Sequence, residues 1–384
     1  MRKSDWIFVC LAVAFLFIGC RQEGSGPPEE KYFDSFPGTS DALTLTVFYP
    51  SVGTLRSLLT LREQGFLPTE GIVVVGVYHE KEVTDYRASL EFVKENRIRW
   101  FQFHKITGEM DRRVLFQKNA WSPEFEKIFQ KSDGMIFFGG ADIPPSLYKD
   151  KTNLLTSIQT PYRHFMELSF IFHLLGGYQN NAFQGLLESR PEIPVLGICL
   201  GEQSLNVGSG GTLIQDIGSE IYGINYFEDA VDLGSENWHN NPWAKMYPEE
   251  NLLRYTMHRI RLAGDGKFCS VLGFSPDATP YVVSSHHQAV KALGKGMRII
   301  ATSLDGKIPE AIEHERFPNV LGIQFHPEFP ELYDKEGRYR ITPHEEGKSL
   351  RSVLEEDPPS FAFHEKLWSW FVEAAKGCHK KNQF

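Results

Sequence analysis

The run at residues 194–216 constrains the fold of this chain more than any other feature. Its sequence is PVLGICLGEQSLNVGSGGTLIQD, in which 195–198 has the apolar pattern of a short buried strand and the residues after Gly201 resemble the start of a helix. Cys199 therefore lies at a predicted strand-to-helix turn, flanked by Gly197 and Gly201. Glycines at these positions permit a sharp turn and the close approach of another molecule. A side chain at the tip of such a turn is well placed to act as a nucleophile.

A second run, NVLGIQFHPEF at residues 319–329, supplies a base for that cysteine. A free thiol is mostly protonated near neutral pH, so a cysteine nucleophile needs a neighbouring base. His326 follows a strand-like segment, and Glu328 can hold its imidazole in one orientation and tautomer. Taken singly, Cys199 is explained as a buried structural thiol, His326 as a strand-end histidine and Glu328 as a solvated loop acid. Their joint placement favours the catalytic interpretation.

Strand-like and helical segments alternate along the chain. This alternation predicts an α/β fold with a doubly wound, mostly parallel sheet flanked by helices. Cys199 would then lie at the carboxyl edge of the sheet, where open α/β sheets bind ligands. The predicted strands are 43–49, 72–78, 135–138, 195–198, 281–284, 298–302 and 320–325, and the predicted helices are 54–64, 84–95, 123–131, 163–175 and 361–375.

Composition and charge limit the classes of partner. Hydrophobic residues make up 41% of the 384 residues, which is enough for a sizeable core in one large domain. The formal net charge of -9 argues against a nucleic-acid partner, because phosphates require a basic surface. Cys269 and Cys378 carry no spacing signal, so a disulfide between them and two unpaired thiols both stay open.

The amino terminus indicates where the protein would act. Residues 1–3 are basic at two positions, 6–18 are apolar, and Gly19 and Cys20 follow, a pattern similar to a bacterial lipoprotein signal. The apolar stretch is shorter than the roughly 20 residues that span a bilayer. We predict a signal peptide at 1–19, a lipidated Cys20 with a flexible tether over 20–42, and a catalytic domain at 43–378. The alternative is an uncleaved short anchor. Either would place the domain at the bacterial cell envelope, periplasmic or surface-exposed.

Several motifs together resemble one protein family. The chain contains GICLGEQSLNV followed by GGTLIQD, then SSHHQAV at 284–290, EAIE at 310–313 and FHPE at 325–328, in that order. Upstream, MIFFGGADIPPSLY at 135–148 and RHFMEL from Arg163 also match, although His164 replaces an aspartate. The chain is similar to the class I glutamine amidotransferase-like superfamily over about 134–328. Within that superfamily it resembles most closely the gamma-glutamyl hydrolase type of cysteine peptidase.

The resemblance implies a reaction and its residues. The thiolate of Cys199 would attack the side-chain amide carbon of a small gamma-glutamyl substrate, and water would hydrolyse the thioester to release glutamate. The backbone amides of Leu200 and of the Gly139 and Gly140 turn would hold the oxyanion. This chemistry requires no metal and no organic cofactor. The positions that would line the glutamyl pocket are Gln203, Ser285, His286 and His287.

Some features depart from the family and leave alternatives open. An extra unit at 43–68 precedes the usual start, Leu200 replaces an arginine, and the segment 226–256 is longer than expected. Its Trp238 and Trp243 belong either to a lid or pocket wall or to surface packing. Two other functions stay open: a catalytically silent surface lipoprotein that binds a ligand or partner, and a glutaminase subunit of an amidotransferase. The sequence does not distinguish a polyamine derivative, a polyglutamate or a peptide as the leaving group, nor the oligomeric state.

Overall fold

A ten-stranded sheet forms the centre of the molecule in a computed structural model that describes residues 30–35 and 41–382. Two further short strands pair with each other beside it. In chain order the strands are β1 Leu43–Phe48, β2 Ile72–His79, β3 Phe101–Ile106, β4 Gly134–Phe137, β5 Val195–Ile198, β6 Leu213–Ile214, β7 Thr256–Leu262, β8 Tyr281–Ser284, β9 Ala289–Val290, β10 Met297–Ser303, β11 Pro309–His314 and β12 Val320–Ile323.

Helices cover both faces of this sheet. They are α1 Tyr32–Ser35, α2 Val52–Glu63, α3 Tyr86–Glu95, α4 Ser122–Gln130, α5 Pro161–Leu175, α6 Leu200–Gly208, α7 Phe227–Asp232, α8 Pro242–Met246, α9 Lys267–Ser270, α10 Leu350–Glu356 and α11 Pro358–Asn382. One apolar core lies between the sheet and helices α2, α3 and α11, and the other between the sheet and helices α4, α5 and α6. The fold is therefore a three-layer α/β arrangement, as the sequence predicted.

The strand order is β3-β2-β1-β4-β5-β12-β11-β10-β7-β8. Neighbours are parallel from β3 to β12 and antiparallel from β12 to β8. The chain builds outwards from β1 to β3 and then returns to place β4 on the other side of β1. The predicted mostly parallel sheet is confirmed. The sequence did not predict strands β3, β7 and β11 of this sheet, nor the short pair β6 and β9. The extra unit at 43–68 supplies β1 within the sheet.

Strands β5 and β12 set the register of the candidate site. Both have the sequence Val-Leu-Gly-Ile, all their residues are buried, and they pair in parallel with Ile198 opposite Ile323. Strands buried on both faces are expected to be apolar throughout. This register brings the residue after β5, Cys199, next to the segment that follows β12.

The part of the predicted tether that the structure describes is packed against the domain. Phe33 is fully buried, and its backbone N–H donates to Nδ1 of His104 at 3.2 Å. The backbone N–H of Lys105 donates to the carbonyl of Glu30 at 2.7 Å. Residues 30–35 are therefore docked on the domain through the buried Phe33 and these backbone hydrogen bonds. Helix α11 also extends past the predicted domain end at residue 378, to Asn382.

Candidate active site

Cys199 lies in a strained turn between β5 and α6. Its backbone has φ 53° and ψ -106°, a conformation that few non-glycine residues adopt. A Cβ atom on Gly201 would lie 2.1 Å from the carbonyl oxygen of Phe137, and one on Gly197 would lie 2.5 Å from Gly201. Both flanking positions therefore require glycine. The backbone N–H of Cys199 donates to the carbonyl of Ile323 at 2.7 Å, which fixes the turn against β12.

His326 stands beside this cysteine and is held by Glu328. Nδ1 of His326 lies 2.7 Å from Oε1 of Glu328, and the ring stacks on Phe329 with centroids 4.2 Å apart. Burial lowers the pKa of His326, but the charges of Glu328 and of the Cys199 thiolate, with hydrogen bonds to both side chains, outweigh it and raise the pKa to about 10. The imidazolium form of His326 is therefore favoured at neutral pH. The structure brings together all three side chains that the sequence singled out.

The Gly139 and Gly140 turn follows β4 and faces the same point. A Cβ atom on Gly139 would lie 3.0 Å from Cε1 of His326 and 3.5 Å from Cβ of Cys199. A Cβ atom on Gly140 would lie 2.0 Å from an Arg163 nitrogen and 3.0 Å from Leu200. The turn and the amino end of α6 thus approach Cys199 from two sides, as an oxyanion hole requires.

Arg163 holds that turn, and the sequence analysis did not assign it this position. It is fully buried in α5, donates through Nη1 to the carbonyl of Gly139 at 3.1 Å and through Nη2 to the carbonyl of Phe138 at 2.7 Å. Its Nε donates to Glu167 at 2.7 Å, so the buried charge is paired. The spacing of arginine and glutamate by four residues in RHFMEL was the available signal for this ion pair.

The four predicted pocket residues differ in burial and in the contacts that they make. Gln203 is buried and donates to Oε1 of Gln324 at 3.2 Å, while His286 is buried with Nδ1 2.9 Å from the carbonyl of Gln288. Ser285 is half-buried and follows β8. His287 is the fourth predicted position and makes ionic contacts of its own. Gln203, on α6, therefore forms a side-chain hydrogen bond with Gln324, just after β12.

His287 is clamped between two carboxylates. Its Nε2 lies 3.1 Å from Asp142, in the segment after the Gly139 and Gly140 turn, and its Nδ1 lies 3.3 Å from Asp216. Burial lowers the pKa of His287, but the hydrogen bonds and charges of both aspartates outweigh it and raise the pKa to about 9. At neutral pH the trio therefore holds one imidazolium between two acids.

A cavity of about 410 Å³ opens beside this trio. His286, His287 and Asp216 line its inner side, and Tyr226 and Trp238 from the long 226–256 segment line its outer side. Neither Cys199 nor His326 is among its lining residues, so it adjoins the candidate catalytic group without containing it. Trp238 is buried, and its Nε1 donates to the carbonyl of Ala230 at 2.8 Å. Trp238 thus belongs to a pocket wall, one of the two alternatives the sequence left open.

The cysteines of the described residues are free. Cys199 and Cys378 are buried, and Cys269 is half-buried. Of the two alternatives for Cys269 and Cys378, the structure has the unpaired thiols. Cys20, the predicted signal at 1–19 and the tether up to residue 29 lie outside the described residues. Within 30–35 and 41–382, we find no helix with the length and apolar character needed to cross a membrane.

A cysteine on a strained strand-to-helix turn, with a histidine and glutamate after the adjacent strand of a three-layer α/β sheet, defines a class I glutamine amidotransferase-like protein. Within that class the chain belongs to the Peptidase C26 family, whose family model matches residues 73–328. Family membership supports amide hydrolysis or glutamine amide transfer as the general chemistry of a hydrolase-type enzyme.

Two curated relatives agree with this assignment. The chain is 32% identical over 197 residues to the "Putative glutamine amidotransferase-like protein YvdE" of Lactococcus lactis, covering 51% of this chain and 66% of that protein. It is 28% identical over 227 residues to a "Putative glutamine amidotransferase" of Mycobacterium tuberculosis, covering 59% and 60%. The chain thus spans less than two thirds of the length of each. A solved glutamine amido transferase from Methylobacillus flagellatus matches with a TM-score of 0.38 and 14% identity, over 87% of this chain and 95% of that one.

Proposed function

We propose that this protein is a cysteine hydrolase that cleaves the gamma-glutamyl amide bond of a small compound through a thioester on Cys199. The observation that carries the proposal is the contact of Gly139 with both Cys199 and His326, at 3.5 Å and 3.0 Å from a Cβ atom built on that glycine. The thiol, the imidazole and the backbone of the glycine turn therefore meet at one point, as attack on an amide carbonyl requires. The gamma-glutamyl hydrolase motifs of the sequence supply the substrate class.

Each residue of the candidate site has its own role in the proposed hydrolysis. The Cys199 thiolate attacks the amide carbon, and the N–H groups of Leu200 and of the Gly139 and Gly140 turn stabilise the oxyanion. The His326 imidazolium donates its proton to the leaving amine, so the C–N bond breaks and the thioester forms. Neutral His326 then takes a proton from water, which attacks the thioester and releases glutamate and the thiolate. Glu328 keeps the imidazole oriented throughout.

The adjoining cavity favours a leaving amine with an apolar body. Tyr226, Phe227 and Trp238 give the cavity aromatic walls. Charges of both signs line it, since Asp216 lies beside His287 and Lys245 is a further charged lining residue. Methylene groups gain free energy when they pack against aromatic side chains. A polyamine derivative contains such methylene groups and is one candidate leaving group.

The proposal is tested by glutamate release from a panel of gamma-glutamyl amides by the purified full-length chain. The panel contains a polyamine amide, a neutral alkyl amide, a dipeptide and a diglutamate. We expect release to be fastest from the amides with methylene chains, the polyamine amide and the alkyl amide, and to be absent in Cys199→Ala. Cys269→Ala removes another free thiol and should keep full activity. No release from any amide by the unmodified chain would overturn the proposal.

We also propose that Cys20 carries a lipid and anchors the protein to the cell envelope. Support comes from the basic, apolar and Gly-Cys order of residues 1–20. Growth of an expressing bacterium with a labelled fatty acid should label the unmodified chain and leave Cys20→Ala unlabelled. Labelling of both proteins, or of neither, would contradict the proposal.

A further inference from the structure

Four buried side chains with metal-ligating atoms, none of them part of the group of Cys199, His326 and Glu328, lie close together. His239 lies in the long 226–256 segment, His258 in β7, His286 just after β8 and Glu310 in β11. All four are almost wholly buried, with at most 5% of any residue exposed. They come from separate parts of the chain, so the fold alone brings them together.

Three of the four side chains have ligand atoms as close together as those around one small cation. Oε1 of Glu310 lies 3.1 Å from Nδ1 of His239 and 3.6 Å from Nε2 of His258, and the ligand atoms of these three residues all lie within 4.8 Å of one another. His286 is outside that group, with its Nε2 3.9 Å from Oε1 of Glu310. Around a tetrahedral zinc ion with bonds of about 2.0–2.1 Å, ligand atoms are separated by roughly 3.3 Å.

Most polar side-chain atoms of this cluster have no hydrogen-bond partner among the described residues. Both ring nitrogens of His239 and of His258, and both carboxylate oxygens of Glu310, lack a hydrogen-bond partner among the described residues. Nε2 of His286 is in the same condition, while its Nδ1 is close to the carbonyl of Gln288. The 3.1 Å approach of His239 to Glu310 is thus close but not aligned as a hydrogen bond. Buried polar atoms without partners are costly, and a shared ion removes that cost.

The hydrogen bond made by the His286 ring also suits the cluster to a metal. The backbone carbonyl of Gln288 next to Nδ1 of His286 fixes the tautomer that leaves Nε2 free as a ligand.

We propose that His239, His258, His286 and Glu310 bind one zinc ion. Three imidazoles and one carboxylate are nitrogen and oxygen ligands that zinc accepts in tetrahedral geometry. When Nε2 of His286 moves in as the fourth ligand, the coordination sphere is closed and the ion has a structural role. It ties the 226–256 segment to β7, β11 and the loop after β8. His239 and His286 also line the 410 Å³ cavity, which gives the ion a route of entry and makes the cavity wall depend on the metal.

The test measures metal content and spectrum in the full-length chain. After incubation with zinc and removal of the excess, we expect about one zinc per chain, as for other closed sites. Replacing zinc with cobalt should give the intense visible bands of tetrahedral Co²⁺. In His258→Gln and Glu310→Gln, zinc should fall below a fifth of that of the unmodified chain, and the bands should disappear.

His364→Gln is the matched control. His364 is as buried as His258, and burial lowers the pKa of His364 to about 4. The control variant should bind zinc as the unmodified chain does. If the ligand variants fail to fold, the unmodified chain still decides the matter, since a strong chelator should lower its melting temperature and zinc should restore it. The proposal would be overturned if the unmodified chain held less than a tenth of a zinc ion per chain and the chelator left its melting temperature unchanged. It would also be overturned if His364→Gln lost as much zinc as the ligand variants do.

Discussion

Nδ1 of His326 lies 2.7 Å from Oε1 of Glu328, and both side chains are buried. This pair sets the charge of the imidazole that faces Cys199. Removing the carboxylate charge while keeping the shape of the side chain therefore isolates its contribution to the candidate site.

Glu328→Gln should lower kcat by about 100- to 10,000-fold, because the amide neither fixes the tautomer nor stabilises the imidazolium. The pKa of His326, raised to about 10 in the intact pair, should fall. The alkaline limb of the pH profile of kcat/KM should then move to lower pH. Glu336→Gln, an exposed glutamate eight residues along, serves as control. An unchanged profile would show that Glu328 does not act on His326.

Gly139→Ala should lower kcat by about 10- to 100-fold, since its Cβ would lie 3.0 Å from Cε1 of His326 and displace the ring. Stability should change little. Gly377→Ala in α11 adds a Cβ with no atom within 4 Å and should leave kcat as it is. Steady-state kinetics and thermal unfolding of both variants check this. Equal kcat in Gly139→Ala and the unmodified chain would remove this turn from the site.

Arg163→Lys should disturb the Gly139 and Gly140 turn while keeping the charge that pairs with Glu167. A lysine cannot serve both carbonyls and Glu167 with the geometry of a guanidinium. We expect a loss of about 1–3 kcal/mol in the free energy of unfolding and a lower kcat. Urea unfolding and kinetics measure the two effects. A kcat that stays constant despite the stability loss would mean that the turn keeps its position without Arg163.

His287 should stabilise the fold only while it is charged. Its pKa in the folded protein, raised to about 9 by Asp142 and Asp216, exceeds the unfolded value of about 6.5. The stabilisation is therefore complete below about pH 6.5 and is lost as the pH rises through 9. The difference in unfolding free energy between the unmodified chain and His287→Gln should shrink from pH 6 to about pH 10. A difference in unfolding free energy that grows with pH would contradict a stabilising contact of charged His287 with Asp142 and Asp216.

Sequence patterns predicted the sheet where strands are apolar and parallel, as in β5 and β12. They missed β11, because Glu310 and Glu313 are buried in a strand that begins with proline. They missed β7 as well, where basic side chains interrupt the apolar pattern of Thr256–Leu262. Charged residues inside a sheet are acceptable only when tertiary partners exist, and local periodicity does not contain that information.

The candidate site, like the sheet, could be predicted only in part from the sequence. Cys199, His326 and Glu328 were identified because each follows a recognisable strand, and parallel neighbours end at one edge. Their catalytic role stays a prediction. Arg163 was not assigned to the Gly139 and Gly140 turn, since that contact joins residues far apart in sequence. The histidine and glutamate cluster likewise has no spacing motif, because four separate segments supply its members.

Trapping the acyl intermediate tests the proposed thioester on Cys199 most directly. The full-length chain is mixed with a gamma-glutamyl anilide, quenched in acid after a few turnovers, digested and analysed by mass spectrometry. We expect one added glutamyl group on the peptide that contains Cys199, and none in Cys199→Ala. Glutamate release without any acylated Cys199, or at the same rate in Cys199→Ala, would contradict the thioester mechanism.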